Sequence, residues 1–329
     1  MRGFSIGFLA LCAGLGLSSG ARASFELVMV ADTGTKSIHR FDGTTGVYLG
    51  SFGGGFLVSP ASFTIDSVNG IAYVGDSTLG RVRGFNYNTG VLVSDFTLGS
   101  AGASQALSRA ADGSFYSGGI DGGFTRLSAA GVFLPAVLNQ NVAGGSAVGM
   151  GSVAHRSGRQ FLATYKSDLT ANAALQISTG VGLTSFKSSE LTSMGSWNTR
   201  AQLAMQGDRG IWMCTNRTMQ NFTTNAAGST IAFGSSYTLT DFFNNSVNGV
   251  GFGHGDSVYV AGRNSGNTSG VIGRYVYGNS TQISSFGSGI IQTPGMVQVV
   301  VAPEPGSMIA LGLGLAGVLG RRRAMRKSA

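Results

Sequence analysis

The chain has 329 residues and a formal net charge of +8, but seven of its 22 lysines and arginines lie in the first 23 or the last nine residues. The long middle of the chain is therefore close to neutral and has no basic stripe, which argues against a nucleic-acid partner. Its 54 glycines follow no three-residue period, so the chain is not collagen-like, and such a glycine content is typical of turn-rich all-β proteins.

The N-terminal segment has the pattern of a secretory signal peptide. Arg2 precedes an apolar run over residues 4–17, and small residues then lead to an Ala-Arg-Ala ending. A charged start, a short apolar centre and an A-x-A end direct export and cleavage, and the run is too short for an ordinary membrane-spanning helix. We predict that signal peptidase removes residues 1–23 by cleaving between Ala23 and Ser24.

A repeating unit of four short strands fills the middle of the chain. Its clearest copy spans residues 62–96, where alternating apolar segments are separated by turns rich in glycine, asparagine and aspartate. Six copies recur at intervals of 43 to 50 residues when the second strand of each unit is aligned on its central residue. The aligned residues are Met29, Tyr73, Tyr116, Leu162, Trp212 and Tyr259.

The period and the strand count predict an all-β fold, a six-bladed β-propeller over residues 24–302. The first unit lacks its first strand, and an orphan apolar strand occupies residues 296–301 at the other end. We expect this C-terminal strand to complete the first blade and close the ring, because closure removes exposed strand edges. A seven-bladed ring with one blade undetected and a pair of β-sandwiches are the alternatives, and the missing strand favours six blades.

Short motifs in the body resemble NHL and YVTN-type propeller repeats. They are Tyr-Val-Gly-Asp at residues 73–76 and Val-Ala-Asp at residues 30–32. The resemblance covers the body loosely and fades in the fifth unit, where residues 215–229 are long and polar. The outer hairpin of that unit is predicted over residues 231–243, at the next alternating apolar segment.

The C-terminal segment, residues 303–329, has three parts in a fixed order. The motif Pro303-Glu304-Pro305 comes first, and an apolar, glycine-rich run follows it. The run predicts a transmembrane helix over about residues 307–320. The basic cluster Arg321, Arg322 and Arg323 would stay on the cytoplasmic side of the membrane, which leaves the body outside.

These three parts together resemble a PEP-CTERM sorting signal, also known as an ice-binding-protein C-terminal domain. The resemblance implies a Gram-negative host, processing by an exosortase near Pro303-Glu304-Pro305, and release or attachment at the cell surface, commonly alongside exopolysaccharide production. The body has no regular Thr-x-Thr ladder, so ice binding is not expected. The alternative is a plain tail anchor, in which the two prolines only end the last strand.

Loops after the second strand of each unit carry most of the polar candidates for chemistry. Some six-bladed propellers hold a divalent metal on this face and act as lactonases or lyases. Asp32 and Asp76 occupy matching positions in adjacent units and are the candidate metal ligands. The other four units offer no acid there, so turn capping by both aspartates is favoured. The same loops also carry Lys36, Asp121, Lys166, Asp168, Arg217 and Arg263.

Cysteine and histidine usage indicates no catalytic centre. Cys12 leaves with the signal peptide, and Cys214 then has no disulfide partner and reads as a buried thiol in a strand. His39, His155 and His254 fall at different places in the repeating unit, so a shared metal site is not expected.

The aromatic residues add one candidate binding platform. Trp212 and Tyr259 lie in predicted inner strands and are expected in the core, whereas Trp197, in the loop 192–199, is the candidate for stacking on a sugar. The sequence thus favours an exported, surface-sorted binding or structural protein without a cofactor. Its partner would be extracellular polysaccharide of the matrix or an envelope protein. The alternative is a metal-dependent lactonase, hydrolase or lyase acting at the channel face.

Overall fold

The computed structural model of the chain describes residues 25–98, 104–110, 112–119, 124–134, 148–156, 159–166, 174–178, 183–185, 202–205, 211–215, 217–224, 231–243 and 246–302. The regular structure in these ranges is β-strand, as the composition and periodicity predict. No helix that is long and apolar enough to cross a membrane occurs among the described residues. The predicted transmembrane helix at residues 307–320 lies outside them.

Six four-stranded sheets account for the strands of the described residues. The first contains β1 (Phe25–Asp32), β2 (Ser37–Asp42), β3 (Tyr48–Phe52) and the C-terminal strand β24 (Pro294–Ala302). The second contains β4 (Pro60–Asp66), β5 (Ile71–Asp76), β6 (Arg81–Asn86) and β7 (Leu92–Thr97). The third contains β8 (Ser104–Arg109), β9 (Phe115–Gly119), β10 (Phe124–Leu127) and β11 (Phe133–Leu134).

The remaining three sheets follow in chain order. The fourth contains β12 (Val148–Arg156), β13 (Arg159–Lys166), β14 (Ala174–Ser178) and β15 (Leu183–Ser185). The fifth contains β16 (Gln202–Met205), β17 (Ile211–Thr215), β18 (Thr218–Thr224) and β19 (Ile231–Thr238). The sixth contains β20 (Gly249–Phe252), β21 (Ser257–Arg263), β22 (Gly270–Val276) and β23 (Gln282–Phe286). In each of the second to sixth sheets, neighbours in sequence are neighbours in space.

Local turn chemistry explains why the hairpins form where they do. The carboxylate of Asp42 accepts hydrogen bonds from the backbone N–H groups of the next turn, and Gly46 closes that turn with a φ of 74°. Asn86 and Gly90 repeat the arrangement in the second sheet, where Gly90 has a φ of 78°. Asparagine and aspartate favour such turns through these side-chain bonds, and glycine tolerates the left-handed conformation.

The hydrophobic core lies between adjacent sheets. Tyr73 and Phe115 join the second and third sheets, with ring centroids 4.6 Å apart, and Trp212 packs with residues of the fifth and sixth sheets. Trp212 and Tyr259 are fully buried, so the prediction that both belong to the core is confirmed. Tyr73 and Trp212, on which two of the repeats align, are thus among the residues that pack sheet on sheet.

The C-terminal strand completes the first sheet. β24 lies beside β1, as the missing strand of the first unit predicts. Its Met296 and Val297 are buried, and Gln298 donates a hydrogen bond to the Phe63 carbonyl oxygen of β4 at 3.1 Å. A buried glutamine, Gln202 of β16, accepts from the Val297 N–H and donates to the Val297 carbonyl oxygen, both at 2.8 Å. β24 is therefore bonded to strands that lie far from it in the sequence.

The fifth sheet differs from the predicted arrangement. Residues 215–229 were expected as a polar segment before an outer hairpin at residues 231–243, but β18 occupies residues 218–224 and pairs with β19. The predicted outer hairpin was wrong because it left out β18, whose polar sequence lacks the alternation of a typical strand. Gln220 is buried, yet its amide donates to three carbonyl oxygens, so the strand satisfies its polar groups without an apolar pattern.

Candidate functional site

The loops after the second strand of each sheet hold the acidic residues singled out in the sequence. Asp32 ends β1 and Asp76 ends β5, and both side chains are fully buried. Each faces the segment that leads into the first strand of its own sheet. The two aspartates are therefore equivalent by structure as well as by alignment.

Asp76 holds two backbone segments together. One carboxylate oxygen accepts hydrogen bonds from the N–H groups of Thr78 and Leu79, both at 3.0 Å. The other accepts from Val58 at 2.7 Å and from Ser59 at 3.3 Å. The first pair shapes the turn after β5, and the second pair fixes the segment that enters β4.

Asp32 makes the same connections in the first sheet. Its Oδ1 accepts from the N–H groups of Gly34 at 2.9 Å and Thr293 at 2.8 Å, and its Oδ2 accepts from Gln292 at 2.8 Å. The imidazole Nε2 of His39 lies 3.3 Å from Oδ2 and 2.8 Å from the Thr35 hydroxyl. Burial alone would raise the pKa of Asp32, but the bonds from His39 and the backbone outweigh it and hold that pKa well below its usual range.

These contacts are those of loop-capping carboxylates. Metal coordination by Asp32 or Asp76 would require the carboxylate to give up N–H donors that it already has. No group of three or more histidine, cysteine, aspartate or glutamate side chains that could hold a metal occurs in the described ranges. His39 lies beside Asp32, whereas His254 contacts Glu26 through its backbone N–H.

The pKa of Asp32 predicts a loss of stability in acid. Because its folded pKa is lowered, the ionised carboxylate stabilises the fold above the unfolded-chain value of about 3.9, and this contribution is lost as the pH falls toward the lower folded pKa. We expect Asp32→Asn to lower the free energy of unfolding at pH 7 by about 1–3 kcal/mol. Urea unfolding at pH 7, 5 and 3.5 should show a flatter pH dependence for the variant than for the wild type.

Asp42→Asn is the matched control, because Asp42 caps a turn nearer the surface through two backbone N–H groups. Its loss should be smaller than that of Asp32→Asn at every pH. Equal losses for the two variants, or an unchanged pH dependence for Asp32→Asn, would contradict the assignment.

The sixth sheet replaces this acid with a glycine. Alignment of Tyr259 with Tyr73 places Gly262 where Asp76 stands, and a Cβ there would come within 2.7 Å of the Phe242 ring. The segment entering β20 supplies a hydroxyl instead. Ser246 Oγ accepts from the Arg263 N–H at 3.2 Å and donates to the Phe243 carbonyl oxygen at 2.7 Å.

A cleft of about 350 Å³ opens beside this position. It is lined by Phe243, Ser246, Asn248, Arg263, Asn267, Thr293 and the first residue of β24, Pro294. Arg263 ends the second strand of its unit, but no residue pattern there distinguishes it from its neighbours in the sequence. The absence of an acid at Gly262 does not mark this sheet in the sequence, because the third, fourth and fifth units lack an acid there as well.

Several predicted residues lie outside the described part of the chain. These are the processing positions Ala23, Ser24, Pro303, Glu304, Pro305, Arg321, Arg322 and Arg323, the candidate sugar platform Trp197, and the loop residues Asp121 and Asp168. Their assignments remain predictions.

Comparison with known proteins identifies the tail and the fold. The PEP-CTERM protein-sorting motif matches residues 301–323, which confirms the resemblance seen in the sequence. Among proteins with curated descriptions, none matches this chain. In a nidogen/laminin complex, one chain matches with a TM-score of 0.60 at 12% identity, covering 84% of this chain and 98% of that one.

Two bacterial structures are also similar. A protein of unknown function from Bacteroides caccae matches with a TM-score of 0.59 at 10% identity, covering 84% of this chain and 99% of its own. Regucalcin from Agrobacterium tumefaciens, described as a calcium-binding protein, matches with a TM-score of 0.54 at 13% identity, covering 75% and 79%. At such identities the likeness concerns the fold, which is that of a β-propeller. The sorting motif implies export of this body toward the cell envelope, and it is the recognition signal of an exosortase.

Proposed function

We propose that the mature protein is a six-bladed β-propeller that is sorted to the cell surface and binds extracellular polysaccharide there. The observation that carries the proposal is the position of the sorting motif. The motif begins at residue 301, near the end of β24. The six sheets therefore come before it in the chain and are the part of the protein that it would sort. Six four-stranded sheets, with β24 beside β1, support the blade count.

The processing steps follow from the two ends of the chain. Signal peptidase would release residues 1–23, and the segment 307–320 would hold the exported body at the inner membrane of a Gram-negative cell. An exosortase would then act near Pro303-Glu304-Pro305 and leave a body that begins at Ser24 at the cell surface or in the matrix.

The hydrogen bonds that the two buried aspartates accept favour a binding role over catalysis. Asp32 and Asp76 already accept backbone hydrogen bonds through both carboxylate oxygens, so neither is available as a general base without a rearrangement. The alternative remains a metal-dependent lactonase, hydrolase or lyase at the channel face. The likeness to regucalcin, a calcium-binding protein, is its support.

The test uses protein isolated from its own host. Its intact mass should correspond to a chain that starts at Ser24 and ends near Pro305. In native gels that contain the host's extracellular polysaccharide, this protein should migrate more slowly than in plain gels. Unchanged migration would contradict polysaccharide binding and leave an envelope protein or a structural role in the matrix, and one metal ion per chain in the native mass spectrum would favour the enzyme.

A further inference from the structure

The cleft beside Gly262 combines one cation with neutral polar groups and an aromatic face. The half-buried guanidinium of Arg263 reaches it, and Phe243, with 40% of its surface exposed, forms an apolar wall. Ser246 and Asn248 supply a hydroxyl and an amide. At about 350 Å³, its volume falls at the small end of the range of about 300–1,000 Å³ that is usual for ligand pockets.

The charge of Arg263 is not paired with a carboxylate among the described residues. Its guanidinium donates to the amide oxygen of Asn267 at 3.2 Å, a neutral partner. Other arginines differ, since Arg81 lies 2.5 Å from Asp95 and Arg109 lies 3.0 Å from Asp66. The cleft therefore presents a positive charge that an anionic group could neutralise.

The carboxylate of Asp32 is connected to this cleft by a hydrogen bond but is buried. Asp32 accepts from the Thr293 N–H, but its side chain is fully buried and its oxygens also accept from Gly34 and Gln292. No carboxylate lines the cleft itself within the described ranges. The cleft therefore offers no anionic ligand to a divalent cation. To a carboxylate it offers the planar guanidinium of Arg263, which can donate two parallel hydrogen bonds.

We propose that this cleft binds a uronic acid residue of an acidic polysaccharide, with Arg263 holding the sugar carboxylate. The inference rests on the proposed function and names the class of sugar. A guanidinium matches a carboxylate in a bidentate geometry. The exposed Phe243 suits the apolar C–H side of the ring, and Ser246 and Asn248, which bond to the Phe243 and Pro294 carbonyl oxygens, form a polar wall beside it.

The experiment measures binding of sodium galacturonate to the protein produced by its own host, with galactose and inorganic phosphate as comparisons. We expect galacturonate to bind more tightly than either. Arg263→Gln should weaken galacturonate binding by about tenfold to a hundredfold and leave galactose binding nearly unchanged. Arg263→Lys should keep part of the affinity, because lysine retains the positive charge. The rest should be lost, because lysine cannot donate two parallel hydrogen bonds as a guanidinium does.

Two further variants separate the site from general effects. Arg81→Gln removes the same charge outside the cleft and should bind galacturonate like the wild type. Phe243→Ala should weaken galacturonate and galactose together. Thermal unfolding of each variant, compared with the wild type, shows whether its fold is intact, and a loss of binding counts only in a variant whose unfolding is unchanged.

The outcomes distinguish this site from the proposed function. Polysaccharide binding with no effect of Arg263→Gln on galacturonate would overturn the site and leave the function standing. Galacturonate binding that depends on Arg263, in a protein that binds no polymer, would support the site and overturn the function. Phosphate binding as tight as galacturonate binding would make the cleft a general anion site and overturn the assignment to a sugar.

Discussion

A chain that ends at residue 293, before β24, is expected to fail to fold. Met296, Val297 and Val300 of that strand are buried in the first sheet's contacts with its neighbours. Burial of three such side chains contributes about 5–9 kcal/mol. The total stability of a typical domain is about 5–15 kcal/mol, so the loss would remove most or all of it.

The shortened chain would also lose polar contacts at the centre of the sheets. Gln202 bonds to the backbone of Val297, and Asn248 donates to the Pro294 carbonyl oxygen at 2.9 Å. Their buried amide groups would lack these partners, and β1 would become an open edge that invites aggregation. We therefore expect no cooperative thermal transition and little soluble protein.

A chain that ends at residue 302 is the control, because it keeps β24 and lacks only the sorting segment. It should unfold cooperatively, as followed by far-ultraviolet circular dichroism. A milder variant, Met296→Ala in that chain, should lose about 2–5 kcal/mol. If the chain ending at 293 melted cooperatively at the same temperature as the control, β24 would not be needed for the fold.

Tyr259→Phe should be the most harmful single hydroxyl deletion at the junction of the first and sixth sheets. The Tyr259 hydroxyl donates to a carboxylate oxygen of Glu26, a residue of β1 with 3% of its surface exposed, and it lies 2.9 Å from the Gly43 carbonyl oxygen. Burial and the Glu26 carboxylate raise the pKa of Tyr259, so the hydroxyl keeps its proton and remains a donor.

Deleting that hydroxyl leaves the buried Glu26 carboxylate with one hydrogen-bond donor fewer. The expected loss is about 1–3 kcal/mol, toward the upper end because the acceptor is charged. Chemical unfolding at pH 7 measures it. The control is Tyr73→Phe at the matching position of the second sheet, where the guanidinium of Arg109 lies over the ring.

The loss for Tyr73→Phe should be clearly smaller. In a double-mutant cycle with Glu26→Gln, the coupling with Tyr259→Phe should exceed about 0.5 kcal/mol, as it does for residues in contact. Equal losses for the two tyrosine variants would contradict a special role for the Glu26 pair.

Sequence patterns were sufficient wherever the interaction is local. The turn at residues 42–46 follows from an aspartate that caps its own loop and a glycine that tolerates a positive φ. The strands follow from alternation, and burial of Trp212 and Tyr259 follows from their central place in the repeats. The sorting motif could also be recognised, because its parts are contiguous and in order.

Periodicity failed where a strand is polar or a partner is distant. β18 alternates little in hydrophobicity, and its pairing with β17 and β19 makes it a strand. Turn capping by Asp32 was predicted, but its bonds from Gln292 and Thr293 could not be inferred, since these donors are about 260 residues away in the chain. A local sequence pattern indicates which side chains are buried, but not which distant backbone groups will form hydrogen bonds with them.

The strands, their turns and the sorting of the chain were thus readable from the sequence, because short-range hydrogen bonding and side-chain alternation decide them. The tertiary structure alone decided the closure contacts of β24, the hydrogen bonds that the two aspartates accept from the segments entering β24 and β4, and the cleft at Arg263. All three depend on which segments the packing of adjacent sheets brings together. Where Asp76 stands in the second sheet, the sixth sheet has Gly262 with the Phe242 ring against it, and the cleft lies beside this position.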